Sequence, residues 1–312
     1  MPRTVDGKYV TEASKIFQQG DDYWHLGDYD EARDAYVISA QMYHDKEDAE
    51  GEAFVLMRLG ELETSLGNYE NAQKVLLGAY ELTKYLDFAQ NTCGDALIKL
   101  AKMESERTNN AKALEYIEEA KKILTIIDNK DLLGDVYDLE AYIYLSENNA
   151  KEAIKAYSTA AELYRKDSIS LKEASVLRAI ARIEMKNHNY DRAHDVLEKC
   201  RDLYRENGDL LGEASALSAI GCLRYIIRDI ENARKALMKA VYLYGKATHH
   251  YAEAESLLYL ARVEATDRVM GDFERAKAHY KRSIELFDFL GNDVMKQMVL
   301  EEYNNFLNRF LG

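Results

Sequence analysis

Proline is all but missing from this sequence. The single one, Pro2, lies at the extreme start, so nothing downstream interrupts a helix. Cysteine is scarce as well: Cys93, Cys200 and Cys222 are odd in number, form no CxxC pair and have no histidine at ligand spacing. That excludes a disulfide framework or a zinc site, and leaves thiols that pack in a reducing, cytoplasmic compartment. No apolar run follows the first methionine, and no stretch approaches the roughly 20 apolar residues of a membrane span, so a membrane segment is not expected. Basic residues are in deficit, 41 Lys and Arg against 55 Asp and Glu, for a net charge of −14. A phosphate backbone demands the opposite balance, which excludes nucleic acid as the main partner. Sixteen glycines in 312 residues are few, and those that matter recur at fixed intervals.

Catalytic motifs are absent too. HExxH and GxSxG do not occur. Gly245-Lys246-Ala247-Thr248 has the tail of a phosphate-binding loop, but Ala240 stands where that loop needs glycine. His249 and His250 are adjacent, so on a helix they diverge by about 100° and suit joint metal ligation poorly. No enzyme activity, cofactor or metal is therefore expected.

What the chain does have is self-similarity. Gly27-Asp28-Tyr29, Gly67-Asn68-Tyr69, Asn189-Tyr190 and Gly271-Asp272-Phe273 are each followed, three residues after the aromatic, by Ala32, Ala72, Ala193 and Ala276. Ala113, Ala153 and Ala233 fill the same slot, giving spacings of 40, 41, 40, 40, 40 and 43. Small residues recur twelve positions earlier, at Gly20, Gly60, Ala101, Ala141, Ala181 and Gly221. Ala261 lies fifteen before Ala276, which puts about three extra residues between 262 and 271. Large residues follow the alanine by four: Tyr36, Leu76, Ile117, Tyr157, Leu197, Leu237 and Tyr280. Each unit reads as two antiparallel helices whose backbones approach at the small residues, with the large residue filling the remaining space. One such hairpin cannot bury both faces, so its neighbours stack on it.

The periodicity predicts helix pairs over 10–26 and 29–45, 49–66 and 69–86, 90–108 and 110–127, and 131–146 and 149–165. It continues with 170–187 and 190–206, 210–227 and 230–246, and 250–267 and 271–290, then a last helix over 292–311. This pattern resembles the tetratricopeptide repeat family over residues 10 to 290, with a period nearer 40 than the usual 34 and no proline closing each unit. The long helices, with starts such as Gly51-Glu52-Ala53 and Gly212-Glu213-Ala214, resemble the extended repeats of LGN-type and kinesin-light-chain-type adaptors. The resemblance implies an all-α, right-handed solenoid of seven hairpins. The units fall at about 10–48, 49–89, 90–130, 131–169, 170–209, 210–249 and 250–290. A disordered stretch over 1–9 precedes them and a capping helix over 291–312 follows.

In that family the first helices line a concave groove, so the resemblance also implies which residues face a ligand. They are Phe17, Asp21, Trp24, Phe54, Met57 and Glu61, then Asp95, Ile98, Lys102, Asp135, Asp138 and Tyr142. Farther on come Arg178, Arg182, Met185, Lys186, Ser215, Ser218, Tyr225 and Arg262. Trp24 is either a partner anchor or a core residue, with core packing favoured. Arg178, Arg182 and Lys186 stand at i, i+4 and i+8 with no acid on their stripe. Such repulsion is worth a few tenths of a kcal/mol per pair, which an anionic partner, acids of a neighbouring repeat or solvent would relieve. The function these features suit is an adaptor that binds a protein or peptide with an acidic segment or a C-terminal carboxylate. The alternatives are a subunit of an assembly, homo-oligomeric or similar to the SNAP adaptors of membrane fusion, and a peptide-sensing regulator.

Overall fold

A computed structural model describes residues 11–266 and 270–311. These are helical nearly throughout, with no strand among the described residues. The chain divides into two compact units, one ending at Asp167 and the other beginning at Ser168. Unit 1 holds α1 (Glu12–Leu26), α2 (Tyr29–His44), α3 (Ala49–Ser65), α4 (Tyr69–Thr83), α5 (Gln90–Glu106), α6 (Asn110–Ile126), α7 (Lys130–Ser146) and α8 (Ala150–Lys166). Unit 2 holds α9 (Ser170–Lys186), α10 (Tyr190–Glu206), α11 (Leu210–Ile226), α12 (Ile230–Lys246), α13 (His250–Ala265), α14 (Met270–Phe289) and α15 (Asp293–Leu311). Most ends fall close to those the sequence pattern predicts. α4 is the clearest departure: it stops at Thr83, and a single 3₁₀ turn, Asp87–Ala89, leads into α5. Residues 1–9 and the middle of the expected insertion lie outside the described residues.

Within each unit every helix packs on the next, and the first helices of neighbouring hairpins also touch, α5 against α3 and α7, α11 against α13. The repeat alanines explain the close approach. Ala32, Ala72, Ala113, Ala153, Ala193, Ala233 and Ala276 are all fully buried. At Gly60 an added Cβ would lie 2.5 Å from the Leu76 side chain, and at Gly221 it would lie 2.5 Å from Leu237. In these hairpins the large residue of the second helix thus packs directly onto the small residue of the first. Losing one such side chain costs about 2–5 kcal/mol.

Two further devices shape the turns. Most helix ends close on a left-handed residue, as at Gly27, Glu47, Gly67, Thr108, Asp128, Asn148, His188, Arg228 and Thr248, whereas α4 ends on right-handed Lys84. The next N–H then reaches back five residues, for example Asn109 to the Glu104 carbonyl at 2.8 Å and Asp229 to the Arg224 carbonyl at 2.8 Å. Beside several of these turns a buried glutamate accepts from the asparagine that opens the second helix. The pairs are Glu63 with Asn68 at 2.7 Å, Glu104 with Asn109 at 2.8 Å and Glu184 with Asn189 at 2.6 Å. Arg224 and Asp229 form a charged version of the same link at 3.1 Å.

Candidate interaction surface

In unit 1 the first helices carry an interlocked set of charges. The Arg58 guanidinium lies 4.6 Å over the Trp24 ring, and Trp24 meets Tyr36 edge-on at 6.4 Å. Arg58 donates to Asp21 and to Glu61, both at 3.0 Å. Lys99 reaches Glu61 at 2.5 Å and Asp95 at 3.8 Å. Burial pushes the Glu61 carboxyl up, but Lys99 and Arg58 outweigh it and hold it below the ordinary range. Trp24, Arg58, Glu61, Lys99 and Lys102 line a cleft of ≈ 260 Å³. A second, of ≈ 490 Å³, is lined by Asp95, Ile98, Lys102, Asp135, Asp138 and Tyr142 among others. Several sequence-predicted groove residues therefore do come together.

Phe54 is exposed, with its ring 5.2 Å from Phe17. Met57 departs from expectation. It is 3% exposed and joins the core with Ala53, Ala72 and Leu76, so it supports the face from beneath and offers no contact surface. Trp24 is partly buried against the core, as the packing alternative requires.

In unit 2 Arg178, Arg182 and Lys186 all stand exposed on α9. Arg178 Nη1 lies 3.5 Å from Ser215 Oγ on α11, and Ser218 Oγ lies 3.1 Å from Ser256 Oγ on α13. Among the described residues none of the three cations has a carboxylate within ion-pair distance. The other arginines of the first helices all do: Arg58 with Asp21, Arg224 with Asp229, and Arg262 with Glu302. Arg262 is thus no open docking group. Its Nε and Nη2 donate to the two oxygens of Glu302 at 2.8 and 2.7 Å, and Tyr280 adds a bond at 2.8 Å. Tyr225 borders the same ≈ 220 Å³ cleft. Beside it, burial pushes the Cys222 thiol up to about 12, which makes it an inert packing group. Glu302 lies on α15, outside the repeat pattern, so no sequence spacing marks it as a partner of Arg262.

The model of the soluble NSF attachment protein family, SNAP, matches residues 77–211, and a tetratricopeptide repeat model matches residues 55–85. The repeat match falls on the α3–α4 hairpin, and the other hairpins repeat its pattern. No curated protein matches the chain in sequence. Among solved structures, the apo form of RapI superposes on this tetratricopeptide array with a TM-score of 0.69 at 12% identity, over 96% of this chain and 87% of its own. Aspartyl phosphate phosphatase F from Bacillus subtilis gives 0.64 at 13%, over 88% and 70%. A STAND-family signal transduction ATPase with a tetratricopeptide repeat sensor, from Pyrococcus horikoshii, gives 0.65 at 17%. It covers 95% of this chain, which spans only 47% of that protein. At these identities the likeness is one of fold, and neither matching family model describes a catalytic domain.

Proposed function

We propose that the chain is a non-enzymatic adaptor whose unit 2 holds an acidic segment, or a free C-terminal carboxylate, of a partner protein on its first-helix face. The observation that carries this is the state of Arg178, Arg182 and Lys186. They share one face of α9, they are exposed, and they meet no carboxylate among the described residues, while the other first-helix arginines do. Arginine presents a planar fork that matches a carboxylate, so an acid docked here gains hydrogen bonds as well as charge. Arg262 illustrates the contact, since Glu302 already occupies it in that geometry. Ser215 and Ser218 are small enough to let a backbone approach. Unit 1 has a contact surface of its own, of mixed character, with Phe54, Lys102 and Tyr142. A reducing, cytoplasmic compartment suits the three free thiols.

The test is the double charge reversal Arg178→Glu/Arg182→Glu, with affinity capture and titration of the partners that the unmodified protein retains. Affinity should fall by about tenfold or more, with the thermal melt unchanged, because both side chains are exposed. Unaltered capture refutes the assignment.

The SNAP match over residues 77–211 favours a second reading, a subunit built into a larger assembly. Light scattering after size exclusion separates the two. A monomer supports the adaptor, and a stable oligomer that hides α9 from proteolysis supports the assembly part.

A further inference from the structure

One column of the repeat changes character between the units. It lies ten residues before the small residue of a first helix and reads Glu50, Asn91 and Asp131 in α3, α5 and α7 of unit 1, but Leu171, Leu211 and Tyr251 in unit 2; for α1 it falls on Val10, outside the described residues. Val294 on α15 continues it, 43 residues after Tyr251 just as Ala276 is 43 after Ala233. These apolar side chains are not buried: Leu171 is 46% exposed, Leu211 42%, Tyr251 40% and Val294 80%.

Four residues separate this column from the next groove position, so both lie on the same helix face. The face of unit 2 therefore has an apolar ladder along one margin and Arg178 and Arg182 along the other. Ser175, Ser215 and Ser218 form a low floor between them. The helices that carry these positions are true neighbours, bridged by Arg178 with Ser215, Ser218 with Ser256, and Arg262 with Glu302.

We propose that unit 2 receives an amphipathic α-helix of a partner protein, with its apolar seam on the ladder and its acidic flank on Arg178 and Arg182. This rests on the adaptor reading and specifies the partner. Two dimensions select a helix. Along α9, Leu171 precedes Arg178 by seven residues and Arg182 by eleven, which is about 10 and 16 Å at helical rise. A helix about 10–12 Å across spans that width, whereas a single strand, which occupies about 5 Å, touches one margin only. Packed helices stand about 8–10 Å apart, close to the 10.5 Å that seven helical residues cover, so the seam should carry one apolar residue per heptad. Glu255 lies in the floor on α13, and burial raises its carboxyl above the ordinary range. An acid placed over it is disfavoured, so the partner's acids belong at the α9 end.

The probe is a labelled helical peptide of about four heptads, with leucine at every seventh position and glutamates at one end, set against a scrambled peptide of equal composition. Leu211→Glu should leave the fold intact, because Glu50 and Asp131 occupy this column elsewhere and an acid suits the first turn of a helix. By fluorescence anisotropy the heptad peptide should bind about tenfold more tightly than the scrambled one. Leu211→Glu should erase that difference, and Arg182→Glu should weaken both peptides. Equal binding of the two peptides, or an unchanged Leu211→Glu variant, overturns the ladder and leaves the adaptor reading standing. Loss on Leu211→Glu with no response to Arg178→Glu/Arg182→Glu keeps the ladder and sinks the charge assignment. Binding of neither peptide overturns both.

Discussion

In unit 1 the enclosed cations of the first helices are satisfied at home, Arg58 by Asp21 and Glu61, Lys99 by Glu61 and Asp95. Lys102, exposed beside them, is the exception. In unit 2 Arg178, Arg182 and Lys186 on α9 meet no carboxylate among the described residues, and Arg262 is answered only because α15 supplies Glu302. The two-helix hairpin recurs in both units with small local departures, so this difference lies in the side chains. Both units use charges to hold helices together, but unit 2 also keeps Arg178, Arg182 and Lys186 exposed on one helix.

The sharpest way to break that contrast is at a buried carboxylate. Arg33 is the one cation paired with the buried Glu63 among the described residues, at 2.5 Å. Arg33→Leu strands that charge and should destabilise unit 1 by about 2 kcal/mol, less than a fully buried pair because Arg33 is partly exposed. Its counterpart Arg234→Leu should cost less, since Glu264 also has Arg275 within ion-pair distance and His279 at 2.7 Å. Urea unfolding of both variants decides the order. Next in size is Arg58→Ala, which uncovers Trp24 and leaves Asp21 without its guanidinium. We expect a loss of about 1–2 kcal/mol together with a shift in the emission of Trp24, the single tryptophan. Arg182→Ala, by contrast, should stay within about 0.5 kcal/mol of the parent.

A smaller effect of opposite sign comes from the turns. Thr108 and Thr248 hold φ of 64° and 54°, where a β-branched residue is strained. Thr108→Gly in unit 1 and Thr248→Gly in unit 2 should each raise stability by about 0.5–1 kcal/mol in thermal or urea melts. The smallest effect is a pH dependence. For Glu302, burial acts upward but Arg262 and Tyr280 outweigh it, so its folded pKa lies below the ordinary 4.5. Its contribution is complete above that value and is lost as the pH falls through the lower folded one. Glu302→Gln should flatten the acid limb of the stability profile, as should Glu61→Gln in unit 1.

Most of the fold was legible because packing fixes a residue type at a fixed interval. Alanine at 32, 72, 113, 153, 193, 233 and 276 and the large residue four later could each be read without a neighbour in view. The face was only partly legible. Helical phase correctly set Tyr142, Arg178 and Arg182 at the surface, but it also placed Met57 there, although that side chain slots into the core beside Leu76. Phase gives a direction and not a depth. Arg262 could not be assigned from its own helix, since its partner arrives from 40 residues away. The Glu–Asn links were readable, as Glu63 and Asn68, Glu104 and Asn109, and Glu184 and Asn189 repeat one spacing. They stand outside the small and apolar registers that mark the repeat, because a buried acid breaks that alphabet.

The left-handed turn residues bear on how such a chain changes its length. At most joints, 208 and 248 included, the helix is stopped by a backbone twist and a returning N–H that belong to its own last few residues, not to anything packed against it. A cut made at two equivalent turns therefore joins ends that already have the same shape. Excising 210–249 should bring Gly208-Asp209 against His250 with the stop signal whole and Asp209 still poised to open the helix that follows. Growth and shrinkage by one hairpin at a time are thus written into the joints.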